Sequence, residues 1–207
     1  MKIALIDGSL EQADSISGQM LEEMKPYLTG QEWEEFYFYK DSSEKKDETA
    51  GRFRECGILL FAVPFDGEKL SSHMEGILAK LKLLLEERKS LPMVYAMAQC
   101  GAYDGNRNAG ALDRLKTWCE EEGILWGQGL GMGAGGMLLS MQEIPIGQGP
   151  KKEMGKAFAE LAEHMASGAS GEDLFLSIDI SRFSCQAAAG YGWRLHKKEK
   201  NQEEVEK

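Results

Sequence analysis

Short, wholly apolar runs alternate along the chain with stretches in which apolar residues return every three or four positions. Ile3-Ala-Leu-Ile6 is the first run, and Ile16, Met20, Met24 and Leu28 follow at helical spacing until Thr29-Gly30 stops them. Trp33 to Tyr39 reads as an aromatic strand and Asp41 to Thr49 as a polar loop. Ile58 to Val63 is continuously apolar, the mark of a strand covered on both faces. Leu70, Met74, Ile77, Leu78, Leu81 and Leu85 draw a helical stripe, and Pro92 to Ala98 gives the next strand. Leu112, Leu115 and Cys119 line a helix that Gly123 ends. Leu125 to Met132 is a fifth strand with a glycine-rich end, and Met154, Phe158, Leu161 and Met165 line a last helix.

Strands alternating with helices across short loops predict an α/β fold: a five-stranded parallel sheet, doubly wound into a three-layer sandwich. The pattern breaks at Ser167-Gly-Ala-Ser-Gly171. Residues 1–170 are therefore expected to form the domain, and residues 171–207 a C-terminal extension that packs on it or reaches a second subunit. That extension ends in the charged tail Lys197 to Lys207. No internal repeat is visible.

Composition narrows the function. The chain of 207 residues is 43% hydrophobic and 28% charged, as ordinary globular proteins are. A net charge of -10 argues against nucleic acid and against anionic lipid as partners. Cys56, Cys100, Cys119 and Cys185 form no C-x-x-C pair, and His73, His164 and His196 show no ligand spacing, so no metal site is expected. Reduced thiols, no apolar run of spanning length and no leader-like start together predict a cytoplasmic protein without a membrane segment.

In open parallel sheets ligands collect at the carboxyl ends of the strands, where strand order reverses. Three loops stand there. The first, from Gly8, offers Ser9, Ser15, Ser17 and the amides of a helix start; the second is Pro64-Phe-Asp-Gly67; the third is Gln99 to Arg107, with Gly101 and Tyr103. A phosphate anchor beside two aromatic-lined loops suits a phosphorylated planar ligand, FMN being the natural candidate. Two carboxylates oppose it: Glu11 and Asp14 lie in the first loop, and Asp14 is a natural helix N-cap that would occupy the needed amides. A carboxylate about 6 Å from a phosphate charge costs ~3 kcal/mol at an effective dielectric of about 20. Gly131-Met-Gly-Ala-Gly-Gly136 matches G-x-G-x-x-G, but too few residues follow before Pro145 for a crossover helix. The glycines are expected instead to let the backbone pass close to a ligand or a neighbouring subunit. Cys100 reads as a buried thiol filling space, His73 as a helix-end histidine, and Phe65 and Tyr103 as ring-stacking candidates.

The order M-K-I-A-L-I-D-G-S, I-L-L-F-A-V-P-F-D-G-E-K-L-S-S-H-M, V-Y-A-M-A-Q-C-G-A-Y-D-G and W-C-E-E-E-G-I-L-W-G-Q-G-L-G-M-G-A-G-G resembles the flavodoxin-like NAD(P)H-dependent FMN reductase family over the first two-thirds of the chain. The resemblance implies a five-stranded sheet of order 2-1-3-4-5, non-covalent FMN and a homodimer. It also implies hydride transfer from NAD(P)H to the flavin and on to a small electron acceptor such as a quinone, a nitro compound or free flavin. Carried over by position, Ser9, Ser15 and Ile16 surround the phosphate. Pro64, Phe65, Asp66 and Gly67 edge the ring, and Gln99, Gly101 and Tyr103 contact its other side. The flavin carries the redox chemistry, so no catalytic acid–base residue is implied. Two other functions stay open: a flavodoxin-type electron carrier, and a scaffold of the same fold without flavin.

Overall fold

The computed structural model describes residues 1–11, 15–38, 51–67, 69–86 and 90–177. Its strands are β1 (Ile3–Asp7), β2 (Trp33–Tyr37), β3 (Ile58–Pro64), β4 (Met93–Gln99), β5 (Leu125–Met132) and β6 (Leu174–Leu176). Its helices are α1 (Ile16–Met24), α2 (Ser72–Leu85), α3 (Ala109–Glu121), α4 (Gly136–Ser140) and α5 (Lys152–Ser167). The expected α/β class with a parallel sheet is observed, but the sheet has six strands rather than five, in the order β2-β1-β3-β4-β5-β6. All the neighbouring strands run parallel. The order 2-1-3-4-5 survives inside it.

The added strand is the start of the segment read as an extension. Leu174, Phe175 and Leu176 pair with Leu130, Gly131 and Met132 of β5. A three-residue strand carries too little alternation to show in a sequence pattern. Hydrogen bonds outside the strand hold it: Asp173 Oδ1 accepts from Gly129 N–H at 2.8 Å and from Trp126 Nε1 at 3.1 Å, and its Oδ2 pairs with Lys116 Nζ. Upstream, the Tyr95 hydroxyl lies 2.7 Å from the Ala169 carbonyl and 3.0 Å from that of His164. Burial pushes this phenol up to about 12. The charged tail and Cys185 lie outside the described residues.

Alternation along the strands divides the core in two. Ala4, Ile6, Leu59, Phe61, Val63, Val94 and Ala96 share one face with the apolar stripes of α2 and α3. Ile3, Leu5, Ile58, Leu60, Tyr95 and Met97 share the other with α1 and α5. The sheet is thus sandwiched between two helical layers, and its central strands are mostly apolar, as strands covered on both faces are. Among the described residues, no helix is long and apolar enough to cross a membrane.

One buried charge pair ties the second helical layer together. Lys151, 0% exposed just before α5, places Nζ 2.7 Å from Glu23 Oε1 of α1. Gln19 also donates to that oxygen, at 2.9 Å. Removing one partner leaves the other charge in a low-dielectric layer, which typically costs ~3–5 kcal/mol. Lys151→Ala is therefore expected to lower unfolding free energy by about 3 kcal/mol or more in a urea titration, and Lys151→Ala/Glu23→Leu to recover much of that loss.

Candidate functional site

β3 and β4 end level with one another, Pro64 opposite Gln99, and the Phe65 N–H closes the pair by donating to the Gln99 carbonyl at 2.8 Å. Beyond that bond the two loops part around a cleft of about 280 Å³ lined by Pro64, Phe65, Asp66, Lys69, Ser71, Gln99 and Gly101. Five sequence-derived candidates, Pro64, Phe65, Asp66, Gln99 and Gly101, are thereby brought together. Gly67 and Tyr103 do not line the cleft. Gly67 turns the second loop at φ +99°, and the Tyr103 carbonyl packs against Gly133. Sequence reasoning missed Lys69 and Ser71. Ser71 had a signal, since it stands where an N-cap belongs, and it accepts from Met74 N–H at 3.1 Å.

The side chains in the cleft differ in how far they are spent. Phe65 belongs to the core and seats its ring over Gly110, so it anchors the loop as well as walling the cleft. Asp66 accepts from the Lys69 N–H at 3.4 Å, a long contact. Gln99 is only 7% exposed, yet its side-chain amide makes no hydrogen bond among the described residues. Its Oε1 lies over Gly135, where an added Cβ would come within 2.2 Å of it. An amide that is nearly buried, lines a cleft and has no partner is ready to pair with a polar ligand edge.

At the end of β1 the arrangement is the reverse. Asp7 is 0% exposed, and both its carboxyl oxygens are used: Oδ1 accepts from Ser9 N–H and Oδ2 from the Ser15 hydroxyl, each at 2.9 Å. Ser15, not Asp14, caps α1, accepting from Gly18 N–H at 2.8 Å. The expected cap Asp14 lies outside the described residues, and Glu11 is exposed. Ser9 Oγ stands 2.8 Å from Ser15 Oγ. Since the single Ser15 hydroxyl hydrogen is donated to Asp7, Ser9 donates in this pair. Ile16, the first residue of α1, packs its side chain on the core, leaving only its N–H for a ligand. The acid facing this loop is the one that strand periodicity had absorbed into β1.

The glycine-rich end of β5 has a local explanation. A Cβ at Gly131 would meet Phe175 at 2.6 Å, and one at Gly133 would meet the Tyr103 carbonyl oxygen at 2.0 Å. These glycines let β5 close on the third loop and on β6. The helix after them, α4, has five residues, and no dinucleotide-type crossover follows. Asn108, 0% exposed, bolts the same region by donating from Nδ2 to the Gly105 and Met132 carbonyls at 3.1 and 3.0 Å. Cys100 Sγ lies 3.4 Å from that amide, buried in this packing. His73 is half-buried at the start of α2 and does not line the cleft. Among the described residues no group of His, Cys, Asp and Glu is placed to hold a metal.

No protein-family model and no curated protein matches the sequence. Solved structures do match the fold. An NADH:FMN oxidoreductase in its apo form superposes over 88% of this chain and 97% of its own, with a TM-score of 0.61 at 13% identity. A short-chain flavodoxin associated with a PDU bacterial microcompartment covers 82% of this chain and 99% of its own, at 0.55 and 12%. The Trp repressor binding protein of Bacillus subtilis covers 77% and 96%, at 0.54 and 15%. The fold is flavodoxin-like.

In a flavodoxin-like fold strand order reverses between β1 and β3, and ligands lie at the carboxyl ends of the strands there. The Asp7 loop and the Gln99 cleft stand along that edge, the first on β1 and the second across β3 and β4. The clearest check on the geometry is Gly133→Ala. Its Cβ would meet backbone rather than a yielding side chain, so the variant is expected to lose about 3 kcal/mol of stability in chemical denaturation.

Proposed function

We propose that this chain is a flavin-dependent oxidoreductase that takes hydride from NAD(P)H and delivers it to a small acceptor such as a quinone, a nitro compound or a second flavin. The observation that carries the reading is the unspent Gln99 amide beside the walls of Pro64 and Phe65 in a cleft of about 280 Å³. An amide offers a donor and an acceptor side by side, which matches the alternating carbonyl and N–H groups along the edge of an isoalloxazine ring. Lys69 and Asp66 bring opposite charges to the same cleft, and Lys69 would favour negative charge on a bound ring.

A bound flavin would supply the redox chemistry, two electrons taken from a nicotinamide and passed on. The chain's part is to seat the ring on Pro64 and Phe65, orient it through Gln99 and shield one side from water. The ring end of the site fits such a group. The β1 end does not fit the phosphate of FMN, because the Ser15 hydroxyl donates to the Asp7 carboxylate and the Ser9 hydroxyl donates to Ser15. FMN, which the sequence resemblance implies, is on this reading held through its ring with a weak phosphate anchor. The capture of the loop by Asp7 also favours a second reading, a protein of this fold that has lost flavin altogether.

A visible absorption shift and quenched fluorescence on mixing flavin with the protein support the first reading; an unchanged flavin spectrum at all concentrations would leave the second. Oxidation of NADPH with menadione separates the enzyme from a flavodoxin-type carrier, which would bind flavin without that turnover. Gly101→Asp places a charged side chain where an added Cβ meets nothing within 4 Å. It should abolish flavin binding while changing unfolding free energy by less than about 0.5 kcal/mol. Gln99→Ala should weaken binding about tenfold, as the loss of one ring hydrogen bond would.

A further inference from the structure

We infer that Asp7 selects the ligand by its tail: the site takes a flavin whose side chain ends in a neutral hydroxyl, riboflavin, in preference to the phosphate ester. The inference rests on the flavin reading of the Gln99 cleft and adds to it the chemistry of the other end.

Proton and lone-pair accounting at the β1 bend leads there. Ser15 Oγ accepts from Gly18 N–H and from the Ser9 hydroxyl and donates to Asp7, so its donor and both lone pairs are filled. Ser9 Oγ has spent its proton on Ser15 and keeps its lone pairs. The Ser9 hydroxyl, only 9% exposed, is thus an acceptor toward a ligand that reaches it. A ribityl hydroxyl can donate to it, whereas a phosphate dianion, which only accepts, meets lone pair against lone pair. Of the donors that remain, the N–H groups of Ile16 and Ser17 at the helix start are without partners among the described residues.

Charge points the same way. A helix N-terminus carries roughly half a positive elementary charge. One full carboxylate at that end reverses the sign, and Asp7 is bonded directly to the helix cap. The sequence holds no lysine or arginine between Lys2 and Lys25, and Glu11, exposed in the same loop, adds a further negative charge. Asp7 is also held in place. It is 0% exposed, in register with Ala62 on one side and Tyr37 on the other, and its Oδ2 would lie 3.0 Å from a Cβ at Gly18. Swinging it away to admit a phosphate would break both bonds that close the bend.

The test titrates riboflavin and FMN separately into wild-type protein and into Asp7→Asn, following flavin fluorescence and heat of binding. Riboflavin is expected to bind the wild type about tenfold tighter than FMN or better. Asp7→Asn should tighten FMN by about tenfold while moving riboflavin less than about threefold. FMN binding tighter than riboflavin to the wild type would overturn the inference and leave the flavin reading standing. A riboflavin preference unchanged in a folded Asp7→Asn would overturn the role of Asp7. Binding of neither flavin would end both, in favour of the flavin-less reading. If Asp7→Asn does not fold, as circular dichroism would show, the wild-type ratio decides alone.

Discussion

A parallel sheet buried on both faces has no room for polar side chains except at its ends, and that constraint sorts every polar group in the central strands. β1, β3, β4 and β5 carry few of them. Tyr95 and Gln128 are consumed by structure, the phenol by the Ala169 and His164 carbonyls and the amide by Glu160, His164 and the Glu172 carbonyl. These contacts bring the end of α5 and the approach to β6 against the sheet. Asp7 and Gln99 sit at the carboxyl ends of β1 and β4, and each is nearly or wholly buried. Of these two, Gln99 is the one whose side chain has no hydrogen-bond partner among the described residues. Burial costs a polar group its water, so an unanswered amide at the edge of a cleft is the clearest sign of what the fold leaves to a ligand.

The two ends of the crevice are built on opposite terms. At the β3–β4 end the chain supplies walls and an amide without using them. At the β1 end it supplies a carboxylate and uses it fully, so a bend that would otherwise gather anion-binding donors is closed by the protein's own anion. Local propensity and global fold agree nearly everywhere else, which makes this disagreement informative. Capping α1 needs only Ser15; a buried carboxylate beneath that serine adds desolvation that the cap alone does not require.

The layered architecture was legible from periodicity because apolar runs and helical stripes both report burial directly. The cleft was half legible. Pro64, Phe65, Asp66, Gln99 and Gly101 were found because strand ends and turn residues mark the loops where ligands collect. Lys69 and Ser71 were passed over because they precede a helix rather than end a strand. β6 was hidden by its length, its hold on β5 depending on Asp173 and on glycines distant in sequence. Asp7 was hidden for a different reason. Its neighbours spell a buried strand, and nothing in a linear pattern tells a carboxylate pointing into its own loop from one pointing at solvent. Attention fell on Glu11 and Asp14, acids inside the loop, whereas the acid that spends the loop's hydroxyls lies beneath it.

Net charge is a poor guide to such a site, since its distribution decides what binds. The chain carries an excess of ten negative charges, yet the cleft at the ring end includes Lys69 and the bend at the other end includes Asp7. A ligand lying along this edge therefore meets one charge of each sign, Lys69 and Asp66, at the cleft and a lone carboxylate at the bend. A phosphorylated flavin would put its permanent charge at the tail, against the Asp7 carboxylate. On the proposed reading a neutral-tailed flavin would carry no fixed charge there, and negative character gained by its ring on reduction would be answered by Lys69. On the proposed flavin reading, Lys69 would favour the electron-rich state of the ring while the bend would not hold the ligand by a charged tail.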